Sequence, residues 1–380
     1  MTNTYDMLAV RRVINAAATL TKLGGSVMPP TVVAAMATAA GAFVDLHELQ
    51  RRVGERIAAL THNEACYVSS GAAAGITLAV AACIAGTDSE RMASFPYLDG
   101  RPQEVITWRS QRNGYQYAAC LTGARLREIG ATAQELGAAC TEQTAAILWF
   151  AGSHFSAGTL PLEDVVSIAH EKGIPVLVDA AAQIPPIANL WRYTTELGAD
   201  AAIFSGGKGL RGPQATGLVL GRRRIIDGCR ANGNPNHAIG RPMKVGKEEL
   251  AGILAAVEWT LAQDEPAVLA GYEAVVRLWL AGLADLPGVV VERVYPSEAG
   301  QPHSRAIIRL SPEAALTRDA LVKRLWARDP RVAVGVVGSD AIALNPQTVQ
   351  ADEVESVQDA VRQELLGVSG IATPAAGEER

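Results

Sequence analysis

The sequence has few of the features that mark exported, metal-binding or membrane proteins. Its five cysteines show no C-x-x-C spacing and its six histidines form no cluster, so neither a zinc motif nor a disulfide framework is indicated. No apolar run approaches the length of about 18 residues that a membrane-spanning helix needs. The first residues also lack a basic flank followed by an apolar core. We therefore expect no metal site, no membrane partner and a cytoplasmic location.

The charge balance argues against nucleic acid as a partner. The chain carries 34 Lys and Arg against 39 Asp and Glu, a net charge of -5, and has no basic tract. Its hydrophobic content of 49% against 19% charged residues is typical of a buried parallel sheet with closely packed helices. A length of 380 residues is more than one compact core usually takes, which favours two domains.

One lysine lies in a glycine-rich loop between two apolar runs. Lys208 is the fifth residue of the segment 204–214, Phe-Ser-Gly-Gly-Lys-Gly-Leu-Arg-Gly-Pro-Gln. The flanking runs 201–204 and 217–220 are predicted to be buried strands that hold both ends of the loop. The glycines would leave room for a bulky ring beside the amine, as imine chemistry requires. The alternative is a hairpin whose tip carries a solvated lysine.

A lone carboxylate ends the apolar run before this loop. Asp179 follows the predicted strand 174–178, at the end of a parallel strand where open α/β sheets bind ligands. Such a carboxylate could hold a pyridine nitrogen in its protonated form, which makes the ring an electron acceptor. The alternative is a helix N-cap, because Ala-Ala-Ala-Gln follows directly.

A third signal lies upstream, where a short strand leads into Ser69, Ser70 and Gly71. A helix of small residues begins at Ala72. Free backbone N–H groups at the start of that helix could bind a phosphate group, although plain packing would use the same residues. Together the three signals favour pyridoxal 5'-phosphate as the cofactor, with Lys208 as its Schiff-base lysine.

These motifs carry a family resemblance. With Ser69-Ser-Gly-Ala72, Val178-Asp179, and Phe204-Ser-Gly-Gly-Lys208 followed by Gly212-Pro-Gln214, the chain resembles the aspartate aminotransferase superfamily (fold type I) of pyridoxal phosphate enzymes. The segment Val13-Ile-Asn-Ala16 makes it similar to the branch that contains selenocysteine synthase and the D-glucosaminate-6-phosphate ammonia-lyases. The resemblance spans roughly residues 10 to 365.

The resemblance implies a fold and an assembly. We expect an α/β protein with a PLP-transferase-like, mostly parallel sheet flanked by helices and a smaller C-terminal α+β domain. Members of this superfamily form homodimers or higher homo-oligomers with active sites at the interface, and their irregular N-terminal arm, here residues 11–30, reaches the partner subunit. The predicted divisions are an arm with the first helix (1–44) and a large cofactor-binding domain (45–245). An interdomain helix with the small domain (246–366) and a disordered tail (367–380) follow.

Further site residues follow from the resemblance and from loop positions. Ser205 beside the lysine loop is expected to contact the cofactor. After the strand 104–108, Gln111 or Arg109 is expected to lie over the cofactor ring, with an ordinary basic loop as the alternative. Ser153 and His154 open the loop after the strand 145–150 and are candidates for substrate contact, with a structural turn as the alternative. Arg241 and Lys244 end a turn-rich stretch and are expected to bind a substrate carboxylate or phosphate, with a surface loop as the alternative.

The predicted activity is that of an ammonia-lyase or dehydratase. Lys208 would remove the α-proton of an amino acid or amino sugar acid, and loss of the β-substituent would yield a 2-keto acid and ammonia. A racemase or an aminotransferase is the alternative. Selenium transfer to seryl-tRNA is disfavoured because the chain begins almost at the arm and shows no basic face. A catalytically silent scaffold is disfavoured because Lys208, Asp179 and the Ser69–Gly71 turn are all present.

Overall fold

The computed structural model describes residues 4–367, apart from the side chains of His154 and Ser156. Beyond Gly367, the predicted disordered tail lies outside the described residues. The strands, numbered in chain order β1 to β12, are Val13–Ala16, Ala65–Ser69, Glu104–Trp108, Arg125–Ile129, Thr144–Phe150, Val176–Asp179, Ala201–Ser205, Gly217–Gly221, Val289–Val294, Arg305–Leu310, Arg331–Val337 and Ala341–Leu344.

The helices alternate with the strands over most of the chain. In chain order, α1 to α15 are Thr4–Met7, Pro30–Ala40, Leu46–Leu60, Ala72–Ala85, Ser89–Ala93, Tyr117–Cys120, Ala133–Ala139, Ser153–Ser156, Leu162–Glu171, Asn189–Trp191, Arg223–Asn232, Lys247–Leu261, Glu265–Leu283, Arg318–Ala327 and Val354–Leu366.

A seven-stranded sheet forms the centre of the larger part. Its strand order is β2-β8-β7-β6-β5-β3-β4, and β4, β3, β5, β6 and β7 run parallel while β8 is antiparallel to both of its neighbours. Successive residues of β6 enter different hydrophobic cores, Val176 and Val178 on one side and Leu177 on the other. Burial on both faces explains why these strands are continuous apolar runs. The predicted mostly parallel sheet flanked by helices is confirmed.

A second sheet of five strands has the order β1-β11-β12-β10-β9 and is mainly antiparallel. Trp279, Val276 and Leu283 of α13 belong to the core packed on this sheet. The predicted irregular arm is wrong at one point. Residues Val13–Ala16 form a strand that pairs in parallel with β11, from Val13 opposite Arg331 to Ala16 opposite Val334. Alternate residues of β1 are buried, so a four-residue run suffices as an edge strand.

The chain forms two compact units, and they differ from the predicted divisions. Among the described residues, one unit comprises 4–23, 266–297 and 302–367, and the other comprises 24–265 and 298–301. The helix α2, which the prediction grouped with the arm, is therefore in a different unit from β1. The helix α12 belongs with the seven-stranded sheet rather than with the C-terminal part. Residues 298–301 also belong with the large sheet, although the sequence on both sides of them does not.

Two features bear on location. All five cysteines are free. Among the described helices, α13 alone is long and apolar enough to cross a membrane by length and composition, and it also supplies the buried residues Val276, Trp279 and Leu283 of the small core.

Candidate active site

The strand register brings the predicted cofactor residues to one edge of the large sheet. Ser69 at the end of β2 lies opposite Gly217, and Gly217 lies opposite Ser205 at the end of β7. Asp179 ends β6 and lies opposite Phe150 at the end of β5. This edge holds the carboxyl ends of the parallel strands, where open α/β sheets bind their ligands.

Backbone hydrogen bonds fix the loop that carries Lys208. The Gly206 N–H donates to the Thr216 carbonyl at 2.8 Å, and the Gly212 N–H donates to the Gly206 carbonyl at 2.8 Å. The Arg211 N–H then donates to the carbonyl of Lys208 itself at 2.9 Å. The lysine is thus held at the tip of a closed, hydrogen-bonded loop and not on an open hairpin.

The glycines of this loop serve a different purpose from the one predicted. A side chain at Gly207 would come within 2.5 Å of the Gln214 Cα, and one at Gly212 would lie 3.0 Å from Ile253. A side chain at Gly209 would overlap the carbonyl oxygen of Ile184. The space beside these glycines is filled by protein. They permit close approach of neighbouring backbone and do not leave room for a ring.

Lys208 is half-buried and Asp179 is buried, and each influences the charge of the other. Burial raises the pKa of the Asp179 carboxyl, although the Ala181 N–H and the charge of Lys208 oppose that shift. Burial lowers the pKa of the Lys208 amine, and the charge of Asp179 opposes that shift. Asp179 Oδ1 accepts the Ala181 N–H at 3.0 Å, while Oδ2 accepts no hydrogen bond from the described residues. One carboxylate oxygen therefore remains available to a ligand.

The start of α4 is open in the way an anion site requires. Gly71 precedes the helix with a φ of 90°, and a Cβ placed on it would meet nothing within 4 Å. The first N–H groups of α4, from Ala72 onward, have no partner within the helix. Ser69 differs from the prediction, because its buried hydroxyl donates to the Gly71 carbonyl at 2.9 Å and so braces the turn. Ser70 is only half-buried beside it.

The side-chain amide of Gln111 is hydrogen-bonded to β5, whereas the prediction placed this side chain over the cofactor ring. Its side chain is fully buried, donates to the Phe150 carbonyl at 3.0 Å and accepts the Phe150 N–H at 3.0 Å. Both ends of the amide are thus bound to β5. Ser153 begins α8 and is exposed, and the side chain of His154 lies outside the described residues.

Arg241 and Lys244 lie in the segment between α11 and α12. Both are exposed, and neither forms an ion pair with a residue that the structure describes. Hydrogen bonds within the segment hold its backbone in place. The Arg241 N–H donates to the Ala238 carbonyl at 2.9 Å, and the side-chain Nδ2 of Asn234 donates to the Arg241 carbonyl at 3.3 Å. Two free cationic side chains are thus available to an anion.

Two contacts to the site were missed from the sequence. The Ser26 hydroxyl donates to the Gly207 carbonyl at 3.0 Å, next to the lysine. Gln301 Nε2 donates to the Ile184 carbonyl at 2.7 Å, and that carbonyl abuts Gly209. The Gly24-Gly25 pair before Ser26 was a usable signal of close backbone approach. No local pattern marks Gln301, which lies 93 residues after the lysine.

Comparison with known proteins agrees with this architecture. A ligand site at this edge, with a half-buried lysine and an open helix start, is the arrangement that a pyridoxal-phosphate-dependent enzyme needs. Residues 33–232 match the aminotransferase class-V family, and the chain belongs to that family. Its cofactor is pyridoxal 5'-phosphate.

Individual relatives cover nearly the whole chain. A 5'-C-glycyluridine monooxygenase-decarboxylase from Streptomyces sp is 33% identical over 97% of this chain and 94% of the relative. D-glucosaminate-6-phosphate ammonia lyase from Salmonella typhimurium is 37% identical over 67% of this chain and 69% of the relative. The solved structure of a D-glucosaminate-6-phosphate ammonia-lyase matches with a TM-score of 0.84 and 30% identity, covering 97% of this chain and 99% of that one. L-seryl-tRNA(Sec) selenium transferases also match, one from Solidesulfovibrio magneticus at 29% identity over 93% of this chain and 82% of the relative. The predicted resemblance is confirmed.

Proposed function

We propose that this enzyme is a lyase that removes a β-substituent from an amino acid or amino sugar acid and releases a 2-keto acid and ammonia. The observation that carries the proposal is the half-buried Lys208 in its hydrogen-bonded loop together with the buried Asp179, both at the carboxyl edge of the sheet. The similarity to D-glucosaminate-6-phosphate ammonia lyase in both sequence and structure supports it.

The residues present fit the cofactor. Ser70, Gly71 and Ala72 would hold the phosphate group at the open start of α4, where the helix dipole favours an anion. Asp179, with one oxygen unengaged by described residues, would hold the ring nitrogen. Lys208 would be the residue that links to the cofactor, with Ser205 beside it at the end of β7. Bound pyridoxal phosphate supplies an electron sink for negative charge on the α-carbon.

Burial prepares Lys208 to act as a base. Because burial lowers the pKa of its amine, the neutral form that accepts a proton is more populated than in water. Once released from the cofactor, the amine would take the α-proton of the substrate. Loss of a β-hydroxyl as water leaves an enamine that becomes an imine, and addition of one water then gives the keto acid and ammonia.

The substrate's anionic group would be met by Arg241 and Lys244. Each is free of ion pairs with described residues and so can bind a carboxylate or phosphate without breaking an existing contact. Ser153 and His154 stay predicted substrate contacts. A phosphorylated amino sugar acid, such as the substrate in the relative's name, carries anionic groups of the kind these residues would bind.

A second function is favoured by a relative that aligns with nearly the whole chain. The Streptomyces enzyme is named as a monooxygenase-decarboxylase, and its alignment spans 97% of this chain. For the present protein that activity would release carbon dioxide from a glycyl-type substrate and consume oxygen. A racemase or an aminotransferase would use the same lysine without either loss.

One set of assays separates these functions. Purified enzyme is incubated with D-glucosaminate 6-phosphate, β-hydroxy amino acids and 5'-C-glycyluridine while ammonia, keto acid, oxygen and carbon dioxide are followed. The lyase predicts ammonia and keto acid in equal amounts without oxygen uptake. Oxygen uptake matched by carbon dioxide assigns the second function instead. Inversion of configuration at the α-carbon, without loss of amine, identifies a racemase.

We also propose a homodimer or higher homo-oligomer with interfacial active sites and a cytoplasmic location. Exposed apolar side chains on and just after α2 support association, since Val33, Phe43 and Val44 are 49%, 102% and 52% exposed. Sedimentation analysis of the purified enzyme tests the assembly, and a monomer would contradict it. The free cysteines are consistent with a reducing compartment.

A further inference from the structure

A four-residue segment far from the lysine in sequence lies against the loops of the candidate site. Residues 298–301 belong to the compact unit of the seven-stranded sheet. Gln183 Nε2 donates to the Ala299 carbonyl at 2.9 Å, and Gln301 Nε2 donates to the Ile184 carbonyl at 2.7 Å. A Cβ at Gly300 would lie 2.6 Å from the Ser153 nitrogen. The segment therefore touches the loops that follow both β5 and β6.

The contact of Gln301 leads directly to the lysine loop. The Ile184 carbonyl that accepts its hydrogen bond is the same atom that abuts Gly209, where no side chain would fit. Gly209 is the residue after Lys208. The loop is also braced by Ser26 on the carbonyl of Gly207, the residue before the lysine. Lys208 is thus held between two neighbours, each fixed against a specific protein group.

The amide of Gln301 is suited to this contact. Gln301 is 2% exposed, so its hydrogen bond is shielded from water and the orientation of the Ile184 carbonyl is well defined. A carbonyl that turned or moved would shift the surface on which Gly209 rests. A reacting group displaced by about 1 Å can lose up to 100-fold in rate.

We propose that Gln301 is a positioning residue for Lys208, acting through the Ile184 carbonyl and Gly209 to hold the amine beside Asp179. The proposal rests on the assignment of Lys208 as the cofactor-linked lysine. Gln301 lies outside the lysine motif and would help to set the position of the Lys208 amine.

The test compares three variants of the holoenzyme. Gln301→Ala removes the amide, and Gln301→Glu keeps its shape but cannot donate while ionised. Asn232→Ala is the matched control, because Asn232 is also fully buried and donates its side-chain amide to two carbonyls away from Lys208. These belong to Gly86, at the end of α4 opposite Gly71, and to Gly228 in α11. The readouts are the pH titration of the cofactor's visible band, the rate at which cofactor-free protein captures pyridoxal phosphate, and the melting temperature.

A positioning role predicts a specific pattern. In Gln301→Ala and in Gln301→Glu at neutral pH, the midpoint of the band's titration shifts and cofactor capture slows by about 10- to 100-fold. Asn232→Ala lowers the melting temperature but leaves the titration and capture rate as in the wild type. If Gln301→Ala does not fold, Gln301→Asn, which keeps an amide on a shorter side chain, takes its place.

Two results would overturn the idea and are distinguishable from failure of the proposed function. An unchanged titration and capture rate in the Gln301 variants, whatever their stability, would make Gln301 a packing residue only. So would equal effects in Asn232→Ala, since the response would then follow general destabilisation. A wild-type protein with no lysine-dependent band would instead contradict the proposed function itself.

Discussion

Asp179 and Lys208 each lower the electrostatic cost of the other's charge in a site that disfavours both charges. Burial raises the pKa of Asp179 and lowers the pKa of Lys208, and the opposite charge of the partner limits each shift. A protein without a ligand gains little from burying such a pair. With pyridoxal phosphate bound, the Asp179 carboxylate would accept a hydrogen bond from the protonated ring nitrogen, and the Lys208 amine would face the aldehyde of the cofactor.

Replacing Asp179 separates cofactor binding from stability. The pKa of Asp179 is higher in the folded state than in the unfolded chain, so wild-type stability falls as pH rises above 3.8 through the folded value. Cofactor-free Asp179→Asn should lack this fall and be the more stable protein at neutral pH. It should hold pyridoxal phosphate about 10- to 100-fold less tightly, which is the worth of a hydrogen bond to a charged group. Thermal melts between pH 4 and 8 and cofactor titration measure both effects; equal cofactor affinity would contradict the assigned role.

Asp200 should act on stability alone. It is fully buried at the opposite edge of the sheet and accepts hydrogen bonds from the Val176 N–H at 2.9 Å and Arg224 at 2.7 Å, with His170 Nε2 at 2.9 Å. Burial alone would raise the pKa of Asp200, but these groups outweigh it and hold the pKa below 3.8. Its contribution is therefore present above pH 3.8 and lost as pH falls through the folded value.

For Asp200→Asn we expect a loss of about 1–3 kcal/mol in the free energy of unfolding, because the Val176 N–H and His170 would face a neutral amide in place of a buried carboxylate. Arg222 and Arg224 are partly exposed and would regain water as their partner. Urea unfolding at pH 7 measures this loss, and the cofactor spectrum should stay as in the wild type. A changed spectrum would show that the two edges of the sheet are coupled.

Gly209 should tolerate no side chain. In Gly209→Ala the new methyl group would overlap the Ile184 carbonyl oxygen, so the loop must move and Lys208 with it. We expect a loss of about 1–3 kcal/mol in stability and a shifted cofactor band. Gly137→Ala in α7 is the control, because a Cβ there meets nothing within 4 Å and alanine favours the helix by about 0.8 kcal/mol. A normal band in Gly209→Ala would mean that this packing does not position the lysine.

Arg241 and Lys244 should govern substrate affinity and not the chemical step. Alanine at either position should raise KM for an anionic substrate about tenfold, with a smaller change in kcat, because the contact exists before and during reaction. The effect should weaken at high salt, since both residues are exposed. Arg91→Ala, which removes another exposed arginine, serves as the control. An unchanged KM in both variants would exclude these residues from the site.

The strands and motifs of the large sheet could be predicted because their signals are local. Apolar runs ending in Asp179 and flanking Lys208 fall on β6, β7 and β8, and the Gly71-Ala72 boundary starts α4 as expected. Strands β10 and β12 also match, because each is a short apolar run between polar residues.

Contacts between distant segments could not be predicted. The pairing of Val13 with Arg331 depends on a partner more than 300 residues away. Asp200 forms ion pairs with Arg222 and Arg224, which follow β8, and no local pattern in the sequence marks this contact. The contact of Gln301 with Ile184 depends on how a later part of the chain returns to the large sheet. In each case the same residue type occurs in many environments, so the sequence alone does not indicate which partner the residue will contact.

The most direct test of the whole account is where the cofactor attaches. Purified wild-type protein, Lys208→Ala and the exposed control Lys172→Ala are loaded with pyridoxal phosphate, reduced with borohydride, and examined by absorption and peptide mass spectrometry. The account predicts a visible band before reduction and the cofactor's mass on the peptide containing Lys208 in the wild type and Lys172→Ala, with both absent in Lys208→Ala. Attachment at another lysine, or a band that survives in Lys208→Ala, would contradict it.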